Sequence, residues 1–241
     1  MIQSKINSET QKYPVSVFFG CICLLTLFSS CATLTGYQDG RTIGEGNGEA
    51  MISLNISKSP NYNEDEDIDL DNFPLFVFPN IEIGGRYGIS EKADINLRFN
   101  TNFNFSAGGK YQLVGDRSSD FALSAGAELG SIALTLWNIQ IPVYMSFHPN
   151  DNVAFYISPR YIHQFNSFAA IDNWNYVGGN VGFLFGSRHK FGIDAGFYQT
   201  NASGAKKIAL SSFGIGGKFV FGNNMADSPK SGPKKKRKKQ L

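Results

Sequence analysis

Trp137-Asn138-Ile139-Gln140-Ile141-Pro142-Val143-Tyr144-Met145-Ser146-Phe147-His148 is the stretch that decides the fold. Ile139, Ile141, Val143, Met145 and Phe147 fall on one face of an extended chain. Asn138, Gln140, Tyr144, Ser146 and His148 fall on the other. Successive side chains of a strand point to opposite sides, so this period of two marks a strand with one apolar face. The pattern recurs about ten times between Glu49 and Phe221, with no convincing helical stretch among the repeats.

Working outward, the alternation predicts strands over Glu49–Ser57, Leu75–Ile89, Ala93–Asn102, Phe103–Val114, Asp120–Gly130, Leu136–His148, Val153–Phe165, Trp174–Gly186, Phe191–Thr200 and Ala209–Phe221. Their lengths suit tilted membrane-crossing strands, which need about 9–11 residues. An even count brings both ends of the sheet to one side. That side should carry tight turns, here Ser90–Lys92, Gly115–Ser119, Pro149–Asn152 and Ser187–Lys190. Longer connections at Lys58–Pro74, Asn166–Asn173 and Asn201–Ile208 should face the other way, where Thr101–Phe103 is unexpectedly tight. The expected fold is all-β: an antiparallel up-and-down transmembrane barrel of about ten strands.

Alternation alone does not say which face is outside. The apolar face carries aromatics near strand ends: Tyr87, Tyr111, Phe147, Phe185 and Phe221 at one end, Trp137, Phe165 and Phe197 at the other. Such girdles belong to a lipid-facing surface. The polar face is rich in glycine, which suits a crowded interior. Pro79, Pro142 and Pro159 fall inside strands of a sheet that should have no free edge, so bulges are expected there, with a shift of face near Ile162 and His163. Trp174 is out of phase.

The N-terminus reads as an export leader. Lys5 and Lys12 precede the mostly apolar run Val15–Phe28, too short for a spanning helix. It ends in Leu27-Phe28-Ser29-Ser30-Cys31, which resembles a lipobox, the processing site of bacterial lipoproteins. A Leu or Val is more usual where Phe28 stands. Thr42-Ile43-Gly44-Glu45-Gly46-Asn47, followed by Glu49 and an alternating strand, is similar to the entry segment of small bacterial outer-membrane β-barrel lipoproteins, the transporter-like or barrel-domain family. The resemblance implies lipidation at Cys31 and an outer-membrane location, with the lipid in the inner leaflet. The division expected is a signal peptide over 1–30, a periplasmic linker over 31–48, the barrel over 49–222 and a basic disordered tail over 223–241.

Charge is uneven beneath a formal net of +2. Asn63–Asp71 is acidic and lacks the glycine and closing glutamate of an EF-hand loop, so it reads as a solvated loop. Lys234–Lys239 is a polycation that reads as disordered, able to touch anionic lipid or cell-wall carboxylates. Cys21 and Cys23 lie within the leader and only Cys31 follows, so no disulfide framework and no cysteine metal site is available. No cofactor and no nucleic-acid partner is expected.

Glu82, Arg86, Asp94, Arg98, Lys110, Glu128, Arg160, Asp194 and Lys218 fall on the polar face and should point inward. In a barrel this narrow, charges of both signs should form a salt-bridge plug, since buried charges must pair. His163 and Ser167 near the outer rim are the one pair with nucleophilic potential, but no oriented acid accompanies them, so no catalytic residue is assigned. The function expected is non-enzymatic: structural, surface interaction or limited transport. The alternatives are a narrow channel or carrier for a small solute, a lipid-modifying enzyme, and a secreted lipocalin-like binding barrel.

Overall fold

The structure, a computed structural model, describes residues 35–58, 77–132, 134–166, 173–202 and 208–222. Cys31, the acidic segment, Ser167 and the basic tail lie outside the described residues. Ten strands follow in chain order: β1 (Gly48–Lys58), β2 (Val77–Ser90), β3 (Ala93–Asn100), β4 (Asn104–Val114), β5 (Phe121–Ile132), β6 (Leu136–Asn150), β7 (Val153–Asn166), β8 (Trp174–Phe185), β9 (Lys190–Ala202) and β10 (Ile208–Phe221). Each pairs antiparallel with its sequence neighbours, and β1 closes on β10 from Gly48↔Phe221 to Lys58↔Ser211. Closure leaves no strand edge, so the backbone is satisfied within the sheet wall.

The burial pattern is inverted relative to a soluble domain. Ile52, Leu54, Ile81, Ile83, Leu97 and Phe197 are exposed on the outer surface, among many other large apolar side chains. Asn138, Gln140, Ser124, Ser158 and Asn180 are fully buried inside. Alternation along each strand therefore sends amides and hydroxyls inward and aliphatic and aromatic groups outward. Glycine on the inner face serves packing: the Tyr156 ring lies where a Cβ of Gly182 would stand.

Tight turns sit at the end where β1 begins and β10 finishes. In the β4–β5 turn, Gly115 takes φ +79 and Asp116 Oδ1 accepts Ser118 N–H (2.7 Å), Ser118 Oγ (2.7 Å) and Ser119 Oγ (3.0 Å). Those bonds hold the Asp116 carboxyl below the usual carboxylate range. The short β3–β4 turn at the opposite end closes on Asn100, whose Oδ1 accepts from the N–H of Asn102 (3.0 Å) and Asn104 (3.2 Å). Phe103 there adopts φ 55.

The prolines are accommodated differently from expectation. Register shifts occur at Gly88/Ser90, Gln112/Val114 and Phe147/Asn150, near the tight-turn end; the last spans Pro149, and none falls at Pro79, Pro142 or Pro159. Pairing is instead interrupted on both sides of Pro142 without a change of register, and Pro159 lies across that gap on β7. The two residues that lack an N–H thus fall in neighbouring breaks, Pro142 in that between β5 and β6 and Pro159 in that between β6 and β7. No face shift follows: Arg160, Ile162 and Gln164 all point inward. Trp174 shares that parity and packs on a small interior cluster of Ile162, Tyr176, Tyr198 and Leu210, which accounts for its phase.

Candidate functional site

The described part of the stretch read as a periplasmic linker over 31–48 runs inside the barrel. From Thr35 to Gly44 every residue is buried except the half-buried Arg41. Gly44 (φ +80) and Gly46 (φ +73) turn the chain back from the start of β1, a reversal that residues with a Cβ resist. Gly46 N–H donates to Gly88 O and Gly88 N–H to Asn47 O, both at 3.0 Å. The approach is so close that a Cβ on Gly88 would collide with the Gly44 backbone.

Contacts follow the segment along the barrel. Thr42 gives its N–H and its hydroxyl to Gln112 Oε1 (3.1 and 2.8 Å), and Arg41 Nε reaches Ser119 O (3.0 Å). Gly40 N–H donates to Ser146 Oγ (2.9 Å), and Ser124 Oγ donates to Gly40 O (2.5 Å). Gly36 N–H donates to Asp194 Oδ1 (3.2 Å). Thr35 Oγ1 donates to the Glu82 carboxylate (2.9 Å), while Arg98 (3.1 Å) and Arg160 (3.4 Å) donate to Thr35 O. A polar, glycine-rich composition suits a solvated linker and a segment threading a polar interior equally well. Composition therefore could not separate the two.

All nine charged residues singled out on the polar face are buried inside, and they divide into groups. Toward the tight-turn end, Arg86 bonds Glu49 (3.0 Å) and faces Asp94 (3.5 Å) and Asp39 (4.0 Å). Lys110 lies 3.6 Å from Asp94 and Lys218 3.6 Å from Glu49. Lys110 also donates to the carbonyls of Asp39 (3.0 Å) and Arg41 (2.7 Å). Further up, Arg98 is paired with Glu128 and lies 3.9 Å from Glu82. Glu128 accepts from Tyr144 Oη (3.0 Å) and Asn96 Nδ2 (3.2 Å), and Arg160 donates to Gln140 Oε1 (3.2 Å). Asp194 stands apart and is satisfied by Tyr156 Oη (2.5 Å), Asn180 Nδ2 (2.6 Å) and Gly36 N–H.

Sequence reasoning missed Glu49 and Asp39. Glu49 shares the inward parity of Met51 and Ser53, so the β1 pattern held the signal. Asp39 sat in the supposed linker and had none. A serine–histidine pair was missed as well: Ser146 Oγ lies 2.9 Å from His148 Nε2. Such a pair can activate a hydroxyl, but both residues are buried and Gly40 N–H already occupies the serine oxygen. His163 bonds Asn175 Oδ1 through Nδ1 (2.7 Å) and stacks on Phe165. Among the described residues, no group of three His, Cys, Asp or Glu is placed to hold a metal ion.

What results is a closed ten-stranded barrel with an apolar exterior and an interior filled by tyrosines, amides, paired charges and its own N-terminal segment. Its architecture is that of an outer-membrane-type β-barrel. No family model and no curated protein matches the chain. Solved structures do. Ail, the attachment invasion locus protein of Yersinia pestis, is 12% identical, with 73% of this chain and 99% of that one covered and a TM-score of 0.35. The COG4313 outer membrane channel from Pseudomonas putida F1 is 12% identical, with 77% and 99% covered and a TM-score of 0.45. OprG from Pseudomonas aeruginosa is 14% identical, with 75% and 99% covered and a TM-score of 0.33. At these identities the likeness concerns the fold alone.

Proposed function

We propose that this chain is a non-enzymatic outer-membrane β-barrel, anchored through a lipid on Cys31, whose lumen its own N-terminal segment keeps shut. Its role lies in the envelope structure or in surface contact through the outer loops rather than in open diffusion. The observation that carries this reading is the course of Thr35–Asn47 through the interior. Backbone carbonyls of the segment serve as acceptors for Lys110, Arg98 and Arg160, and its threonines cap Glu82 and Gln112.

An aqueous path needs room that side chains and water can share. Here Gln140, Ser124, Ser158 and Tyr144 are at most 1% exposed, which leaves no open path past them. A membrane location is supported by the exposed aliphatic belt, which would be an aggregation hazard in water. In the proposed orientation, the tight-turn end faces the periplasm. There the tail over 223–241 would be free to touch anionic lipid or cell-wall carboxylates.

Planar-bilayer recording of the purified protein tests the closed-lumen reading. The expected result is no steady conductance from wild type. Large, reproducible open-channel currents would overturn it and favour a conduit for small solutes.

A further inference from the structure

The direction in which the segment runs has a consequence for topology, given the outer-membrane orientation proposed above. Gly44 lies at the periplasmic rim, where a Cβ would touch Arg117 of the β4–β5 turn. Gly40 packs on Ala122, one residue into β5. Gly36 packs on Asn180, five residues from the periplasmic end of β8. Thr35 is a step beyond, hydrogen-bonded to Glu82, which lies eight residues from the periplasmic end of β2. Read backwards from β1, the chain climbs steadily from the rim to the barrel's middle.

Reach then sets a limit. Strands rise ~3.3 Å per residue and tilt by about 40°, so Thr35 sits roughly 15–20 Å above the periplasmic rim. Cys31 precedes Thr35 by four residues. Four fully extended residues span at most ~13–14 Å. A lipid in the periplasmic leaflet would require that short chain to descend the whole distance beside the segment already seated there, and then to round the barrel wall. The tether is too short. An inner-leaflet anchor at Cys31 and a seated Thr35–Asn47 segment exclude each other.

We infer that the barrel is threaded: the chain N-terminal to Thr35 leaves through the outer opening, and a lipid on Cys31 is held on the cell-surface side of the membrane. The upward route needs less chain, because Glu128, beside Arg98 at this level, lies four residues from the outer end of β5. The barrel is then a conduit for its own N-terminus, occupied once and for all during assembly.

Cysteine labelling in intact cells tests this. After leader removal the chain has no cysteine other than Cys31, and a lipidated Cys31 has no free thiol. Three full-length variants are treated with a membrane-impermeant maleimide before and after outer-membrane permeabilisation, with wild type as background. They are Ala32→Cys, Ser59→Cys in the β1–β2 connection, and Glu91→Cys in the β2–β3 turn. Threading predicts that Ala32→Cys labels in intact cells as Ser59→Cys does, while Glu91→Cys gains most of its label, tenfold or more, only on permeabilisation. If Ala32→Cys labels only with Glu91→Cys, or in neither condition, threading is overturned while the membrane orientation stands. If Ser59→Cys and Glu91→Cys do not differ, the orientation itself fails and takes the inference with it.

Discussion

At the scale of single residues, the interior charges hold one another in place. Arg98 serves Glu128, Glu82 and the Thr35 carbonyl together. Arg98→Ala therefore strands two buried carboxylates and should cost about 3–5 kcal/mol. The double variant Arg98→Met, Glu128→Leu leaves one carboxylate, Glu82, without Arg98 rather than two, and should cost clearly less. Equilibrium unfolding in detergent or lipid compares them, and equal losses would argue that the pair is hydrated. On the outer face, Ile83 is half exposed and close to the middle of β2. Ile83→Arg should destabilise the bilayer-inserted barrel by about 2–4 kcal/mol, as for a cation at the membrane midplane. An unchanged refolding midpoint in vesicles would reject the lipid-facing assignment. Parity made these residues legible: two-residue alternation places Arg98 inside and Ile83 outside from sequence alone. It could not give partners, because Arg98 and Glu128 meet across β3, β4 and β5 through side-chain length rather than any sequence spacing.

At the scale of elements, the strand boundaries followed from alternation to within a few residues, and the turns from Gly, Asn, Asp and Ser clusters. The prolines were misread for a physical reason. A lone proline in a closed sheet needs a bulge, but Pro142 pairs with Arg160, one position from Pro159, and the two prolines fall in adjacent in-register breaks of the ladder, Pro142 on the β5 side and Pro159 on the β6–β7 side. Pairing of that kind is tertiary and has no local signature. The N-terminal segment was misread because its composition is neutral between solvent and a polar lumen. Its seat is specific all the same. A Cβ on Gly40 would meet the Ala122 carbonyl carbon at 2.8 Å and Ser146 Oγ at 3.0 Å. Gly40→Val should therefore unseat the segment while leaving every strand unchanged. The variant should still migrate as a folded, heat-modifiable barrel, and its bilayer conductance should rise from none to a steady level. A folded Gly40→Val barrel that stays silent would mean that the wall side chains alone close the lumen.

At the scale of the whole molecule, the chain forms a wall of ten strands and then occupies the space inside it. The nine inward charges identified from sequence are only part of that filling. Asp39, Glu49 and the carbonyls of the segment complete it. Pairing, closure and lumen occupancy thus depend on each other, and they meet at one placement: Gly36 against β8. An ideal Cβ at Gly36 lies 2.8 Å from Cβ of Asn180, closer than the ~3.5–4.5 Å of a disulfide, but unlike Gly40 it meets only side-chain atoms, Asp194 Oδ2 among them, so a small outward shift of the segment brings the pair to disulfide geometry. The direct test is oxidative cross-linking of a Gly36→Cys, Asn180→Cys double variant taken from outer membranes. The link is read as a mobility shift after denaturation that reductant reverses. A seated segment gives efficient cross-linking in the folded barrel and none in either single variant. A folded, heat-modifiable double variant that does not cross-link would contradict it, because the segment would then lie outside the lumen.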